Sequence, residues 1–309
     1  MKKIAILGAT GHIAKNLISN FKESGKFTLF LFARSNGKLD NFLKIINYGE
    51  KIKKIDLFNF NTEKYDAIIN CIGIGGPKKL KNTGPEIFRL TEYFDNFILD
   101  YLKDNSNCIY INFSSGVAYG VDFSIPAENK KLCEINVNNI CSNDNYGIVK
   151  LYSEAKHRSC KNFNIVDLRV FAFFSRFIDL KSKYFITELI SCIKTKKELT
   201  TNNNNIVRDY IHPKDLFNLI NICIDVGEIN DVFDVYSLKP ITKFEILDYF
   251  KKNYDLVYKI EKGIFGENAT GIKDNYYSIN KKAEKIGYIP KYSSIESIVQ
   301  ETKEILKKV

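Results

Sequence analysis

Short apolar runs alternate with longer amphipathic stretches through the first half of the chain. Residues 1 to 14 hold an apolar run, Ile4-Ala5-Ile6-Leu7, that ends in a turn of small residues and leads into an amphipathic stretch from Ile13 to Phe21. Phe27 to Phe32 predicts a second strand. Lys54-Ile55-Asp56-Leu57 closes a third, Asp66 to Gly73 makes a fourth and Ile109 to Phe113 a fifth. Between them, Glu86 to Lys103 and Tyr146 to Cys160 read as helices. Strands alternating with helices predict an α/β fold with a Rossmann-type, doubly wound parallel sheet. Asn202 to Asn205 reads as a loop before the strand-like Ile206-Val207, and Val232 to Tyr236 as a strand returning to the main sheet. Residues 1–170 are therefore expected to form a nucleotide-binding domain and 171–309 mainly a smaller C-terminal substrate-binding lobe, interleaved through that late strand.

The first turn carries the first chemistry. Gly8, Gly11 and Ala14 fall at the spacing G-x-x-G-x-x-A between strand and helix. Glycines there allow a tight turn and bring backbone amides close to a pyrophosphate at a helix N-terminus. Thr10, His12 and Ile13 of the same turn join Gly8 and Gly11 as expected dinucleotide contacts. An acidic residue after the second strand would accept hydrogen bonds from the ribose of NAD. Here Ala33, Arg34 and Ser35 follow instead, and an arginine fork suits a 2′-phosphate. With Ser35 and Lys38 assisting, Arg34 favours NADP(H) over NAD(H). Asp56, beside Leu57, is placed for the adenine amino group. Cys71, Ile72 and Gly73 open a passage to Gly76 that would cross the cofactor.

The second chemistry lies at Tyr146 and Lys150. Four residues apart on a helix, they share a face, and a cation beside a phenol lowers its pKa toward working pH. Ser114 and Ser115 end the fifth strand, where ligands of open α/β sheets bind.

Together these pieces resemble an extended short-chain dehydrogenase/reductase of the NAD-dependent epimerase/dehydratase family, whose members mostly act on nucleotide sugars. The resemblance rests on Gly8 to Ala14, Asp56-Leu57, Ser114 to Gly120, Tyr146 to Lys150, Leu168 to Phe171, Arg208 to Asp215 and Lys285 to Pro290, in that order. It implies that Tyr146 is the general acid/base, that Lys150 holds the nicotinamide ribose and depresses the tyrosine pKa, and that Ser115 hydrogen-bonds the reacting oxygen. Ser114 would support the turn. Arg208 would grip the substrate diphosphate, while Asp209, His212 and Asp215 brace its loop.

Departures from the family pattern narrow the reaction. Sugar 4,6-dehydratases carry an Asp-Glu pair after the catalytic hydroxyl; Gly116 and Val117 stand there, lining the substrate site without a transferable proton. Epimerase-reductases of GDP-fucose synthesis carry a cysteine where Val117 stands. Ala172 replaces a family Asn, and Arg176 is a candidate substitute grip. The remaining Ser115, Tyr146 and Lys150 suffice for one hydride and one proton. The expected activity is NADPH-dependent reduction of a keto group, at C4, on a nucleotide-linked keto-deoxy sugar of the kind used in bacterial-type surface polysaccharides. A 4-epimerase or 4-dehydrogenase of the same family is the alternative, and a cofactor-binding regulator without chemistry is a third reading.

Composition agrees with this class. At 309 residues and 45% hydrophobic the chain can bury a large core. The net charge of +10 is scattered as lysines rather than gathered in one basic block, so no nucleic acid is expected. Seven cysteines without a Cys-x-x-Cys pair read as reduced thiols. Three histidines at unsuitable spacings give no metal site. With no long apolar span or leader, neither membrane association nor export is expected, and a cytoplasmic location is. Apolar and aromatic positions on more than one face of the two helices, including Phe94, Phe97, Ile98 and Tyr101, together with the family resemblance, lead to a homodimer as the expected state.

Overall fold

The computed structural model describes residues 1–74, 84–261 and 273–307. Seven strands form one parallel sheet: β1 (Lys2–Leu7), β2 (Phe27–Phe32), β3 (Ile52–Lys54), β4 (Ala67–Asn70), β5 (Ile109–Ser115), β6 (Asn164–Val170) and β11 (Asn230–Val235). Their spatial order is β11-β6-β5-β4-β1-β2-β3, so the chain reverses direction across the sheet between β1 and β4. Successive residues of a strand point to opposite faces, and β1 divides accordingly. Ile4 and Ile6 enter a core with α1 (His12–Ser24), α2 (Asn36–Ile45) and α6 (Pro213–Val226), whereas Ala5 and Leu7 enter a second core with α3 (Glu86–Asp104). The sheet is therefore buried on both faces, as a doubly wound sheet must be. The third strand is shorter than its apolar run: it stops at Lys54, and Asp56 precedes a 3-10 turn over Leu57–Thr62 without a side-chain capping bond.

The C-terminal elements are small sheets around a separate apolar cluster that includes Phe174, Leu189, Leu247, Phe250 and Ile298. They comprise β7 (Ala172–Phe173) beside β10 (Tyr210–Ile211), β9 (Val207–Arg208) between β12 (Ile241–Thr242) and β14 (Asn275–Tyr276), and β8 (Leu199–Thr201) beside β13 (Tyr258–Ile260). Helices α5 (Phe185–Thr195), α7 (Lys243–Tyr254) and α8 (Ser294–Leu306) cover them. The asparagine tract is a loop but also an anchor, because Asn202 accepts two bonds from Lys243 Nζ and Asn205 accepts from the Phe244 amide. Among the described residues no helix is long and apolar enough to cross a membrane.

Candidate active site

The turn after β1 meets the loop after β4 at the point where the sheet order reverses, the usual ligand crevice of such sheets. Gly8 sits at φ +73°, and a Cβ there would lie 2.9 Å from the Cys71 carbonyl group. Only glycine fits both the left-handed backbone and that approach. The Gly11 amide donates to the Gly8 carbonyl at 2.8 Å, and α1 begins with no side-chain cap and no acid in its first turn. Its first amides thus stand at the positive end of a helix dipole, where negative charge is favoured. Thr10 is half-buried in the turn. His12 is directed elsewhere as a side chain. Its Nε2 lies 2.6 Å from Ser175 Oγ, and burial lowers its pKa to about 4, so only its backbone is offered to an anion.

Beyond β2, Arg34 is exposed, and the Ser35 hydroxyl caps α2 by accepting from the Lys38 amide at 3.4 Å. The pKa of Lys15, one turn into α1, is lowered first by burial and then by the charge of Lys38. Lys15 therefore stands within electrostatic reach of Lys38, a neighbour that reading along the sequence did not identify. Asp56 and Gly73 are exposed, and Cys71 and Ile72 half-buried, along the same strand ends. Gly75 and Gly76 lie outside the described residues.

Ser115, Tyr146 and Lys150 come together where β5 ends against α4 (Asn145–Ser159). Tyr146 interacts with Ser115 by a side-chain hydrogen bond. Lys150 Nζ is 5.8 Å from the Tyr146 ring centre and donates to the Phe113 carbonyl at 2.7 Å. Burial dominates the electrostatics of both groups. Burial raises the Tyr146 pKa more than the Ser115 bond lowers it, and burial lowers that of Lys150 against the attraction of Asp167, Glu154 and Asp95. Desolvation disfavours the charged form of each group, and here burial sets the direction of both shifts. Ser114 supports the turn by donating to Glu154 at 2.5 Å, and Glu154 in turn pairs with Arg169.

Sequence reading missed Tyr276. Carried on β14, its hydroxyl lies 3.0 Å from Ser115 Oγ, so a second phenol from the C-terminal elements shares the serine with Tyr146. The floor around them is aromatic: Phe171 lies 5.2 Å and Phe123 4.7 Å from the Tyr276 ring. Gly116 is packed beneath Phe171, and a Cβ would come within 2.4 Å of that ring. Val117 is buried in the same cluster. Both positions thus serve packing, and an acid at 116 would require Phe171 to move.

Arg208 is half-buried beside this floor, 5.8 Å from the Tyr276 ring, its Nη1 donating to the carbonyls of Val207 and Lys273. Asp209 accepts from Ser237 and Ser294, Asp215 from the amides of Lys291 and Tyr292, and His212 caps α6 while stacking on Tyr292. These three brace the segment. Arg176 corrects the sequence expectation of a substrate grip. Its guanidinium pairs with Glu301 at 2.6 Å and 2.9 Å and approaches Glu304 at 3.4 Å, which fastens α8 to the strand segment. The helix residues expected at a dimer face also turn inward: Ile98 is fully buried, Phe97 packs on Phe60, and the Tyr101 hydroxyl holds Tyr65 and Glu63.

Comparison with known proteins bears on the fold and the family. No curated protein sequence matches the chain. Among solved structures, a UDP-glucuronic acid 4-epimerase variant from Bacillus cereus, in complex with a fluorinated UDP-glucuronic acid and NAD, superimposes with a TM-score of 0.80 at 17% identity, covering 99% of this chain and 100% of that one. A dTDP-glucose 4,6-dehydratase from Bacillus anthracis with NAD gives 0.80 at 14% identity, covering 100% and 97%. A UDP-glucose 4-epimerase from Stenotrophomonas maltophila with NAD and formylated UDP-arabinopyranose gives 0.83 at 11%, covering 100% and 98%. At such identities these likenesses establish the fold. The sequence pattern of the NAD dependent epimerase/dehydratase family matches residues 4–236, and the chain belongs to that family.

Proposed function

We propose that the protein reduces a keto group, at C4, of a nucleotide-diphosphate-linked keto-deoxy sugar, with NADPH as reductant. The observation that carries this reading is the convergence of Ser115, Tyr146 and Lys150 with no further acid or base at 116 or 117. The Gly8–Gly11 turn and the first amides of α1 would hold the diphosphate of the cofactor, Arg34 with Lys38 and Lys15 a 2′-phosphate, and Lys150 the nicotinamide ribose. When bound, the nicotinamide supplies the hydride. Ser115 hydrogen-bonds the carbonyl oxygen, and Tyr146 donates its phenolic proton to that oxygen as it becomes a hydroxyl. A raised tyrosine pKa suits this direction, because the group stays protonated until needed. Residues 171–309 are taken as mainly the substrate lobe.

A 4-epimerase is the second reading, favoured by the epimerases among the structural relatives and by their NAD. We also take the protein to be a cytoplasmic homodimer serving polysaccharide sugar synthesis. The free state of its seven cysteines supports a reducing compartment, and exposed Tyr93 on α3 and Tyr152 on α4 support pairing through those helices. The deciding experiment follows reduced-nicotinamide absorbance with NADPH or NADH and CDP-, dTDP-, GDP- and UDP-linked 4-keto-6-deoxy sugars. Stoichiometric NADPH oxidation, reduced about 10²–10⁴-fold in Tyr146→Phe, is the expected result. No oxidation, with NAD retained through purification, would select the epimerase.

A further inference from the structure

Lys150, Glu154 and His157 follow Tyr146 on one buried face of α4. Seven residues separate the lysine from the histidine, two helical turns or about 10 Å along the axis. The proposed reaction uses Lys150 and leaves His157 without a task. The histidine is fully buried between two carboxylates from other elements: Asp95 of α3 lies 2.6 Å from Nε2 and Asp167 of β6 2.9 Å from Nδ1. An ionised carboxylate only accepts, so both ring nitrogens must donate, which makes the ring an imidazolium.

Lys150 feels the same two carboxylates. Its Nζ donates to the Phe113 carbonyl, and one residue back on β5 the Asn112 amide donates to Asp167, its register partner on β6, at 2.7 Å. Burial lowers the lysine pKa, and the attraction of Asp167, Glu154 and Asp95 opposes it in that order. Glu154 is already taken by Arg169 and Ser114. Lys156 and Arg158 reach Asp95 and Asp167 from the part-exposed rim of the helix, where water screens their charge. Among the described residues, the charge that meets both carboxylates from the buried side is that of His157. Without it, the nearest cation on this face not already paired with a carboxylate is Lys150. Its capture by Asp167 would draw Nζ off the Phe113 carbonyl and down the helix, away from Tyr146.

We propose that His157 is a positioning residue for Lys150: its charge occupies Asp95 and Asp167 and so keeps the lysine ammonium at the Tyr146 end of the helix, turned to the nicotinamide ribose of the cofactor. This rests on Lys150 holding that ribose. The Tyr-x-x-x-Lys spacing does not reveal the role, because the carboxylates that His157 occupies come from α3 and β6.

The test is fluorescence titration of the full-length protein with NADPH and with NADH at neutral pH, for wild type, Lys150→Met, His157→Gln and the double variant His157→Gln/Asp167→Asn. The double variant removes the histidine together with the carboxylate that would capture the lysine. Lys150→Met measures the loss when the ammonium is absent, about tenfold for one charged hydrogen bond. His157→Gln should lose nearly as much, and the double variant should recover to within threefold of wild type. A histidine needed for packing alone predicts the opposite order, with two core substitutions binding no better than one. That order, or wild-type affinity in His157→Gln beside a loss in Lys150→Met, would overturn the proposal alone. Should His157→Gln fail to fold, the double variant decides: near-wild-type affinity supports the proposal and a loss equal to that of Lys150→Met overturns it. Unchanged affinity in Lys150→Met, or no binding of either cofactor by wild type, would overturn the reading of Lys150 and the proposal with it. None of these outcomes depends on which sugar is reduced.

Discussion

Ser115 and Tyr276 meet at 3.0 Å although 161 residues separate them, and this contact joins the main sheet to the C-terminal elements at the point where Tyr146 also reaches the serine. A hydroxyl that serves two phenols can donate to one and accept from the other. Removing one phenol frees the serine to rotate, which loosens the oxygen-holding geometry without deleting the proton donor. Tyr276→Phe should therefore lower kcat about tenfold, a smaller loss than in Tyr146→Phe, with cofactor affinity unchanged. Steady-state kinetics of both variants check this, and a Tyr276→Phe enzyme less active than Tyr146→Phe would show that the assigned roles are reversed.

Arg34 stands exposed where an NAD-binding chain of this fold presents an acid, and Lys38 and Lys15 supply further positive charge across the turn. A guanidinium fork recognises a phosphate monoester far better than a ribose hydroxyl. Arg34→Ala should weaken NADPH binding at least tenfold and NADH binding less than threefold, as read by fluorescence titration of each cofactor. Equal losses for both would mean that the arginine serves the adenine or the fold rather than a 2′-phosphate.

How much was legible in the sequence follows from the range of the forces involved. The sheet and the Gly8–Gly11 turn were readable because hydrophobic periodicity and glycine's backbone freedom are local. Tyr146 and Lys150 were readable because one helical turn sets their geometry. Tyr276 and Lys15 were not, since β14 reaches Ser115 through pairing with β9 and with the Phe123 backbone, and Lys15 feels the charge of Lys38 only after α1 and α2 pack on one face of the sheet. Arg176 was misread for the same reason: Glu301, its partner, is 125 residues away. The helix aromatics were ambiguous because an apolar residue on α3 can face its own sheet or a second subunit, and only the packing of Phe97 and Ile98 decides.

Gly116 tests whether the missing acid is a matter of one substitution. Its position in a 3-10 turn needs no positive φ, so alanine is conformationally allowed, but the new Cβ meets Phe171 at 2.4 Å. Phe171 is in turn held by Tyr276, Phe123 and Tyr119. Overpacking of this kind costs about 1–3 kcal/mol. Gly116→Ala should lower the melting temperature and disturb Tyr276, reducing activity together with stability. An unchanged melting temperature would mean that the aromatic floor yields easily, and the steric argument against an acid at this position would fail.

Behind Lys150 lies a buried ionic core in which stability and pH are coupled. His157, fully buried, contacts Asp95 at 2.6 Å through Nε2 and Asp167 at 2.9 Å through Nδ1, with Lys156 on Asp95 and Arg158 on Asp167. Burial acts to lower the histidine pKa, but the bonds and charges of the two aspartates outweigh it and raise it from 6.5 to about 9. A folded-state pKa above the unfolded value gives stability that is fully present below about pH 6.5 and is lost as pH rises through about 9. The melting temperature of the wild type should therefore fall across that window. His157→Gln removes the charge but leaves the two carboxylates, so it should be destabilised by about 3–5 kcal/mol at pH 6 and show a flatter profile from pH 6.5 to 9. Thermal unfolding of both proteins at half-unit pH steps measures this directly. Parallel profiles would show that the histidine is neutral in the fold and that Lys156 and Arg158 alone balance the aspartates.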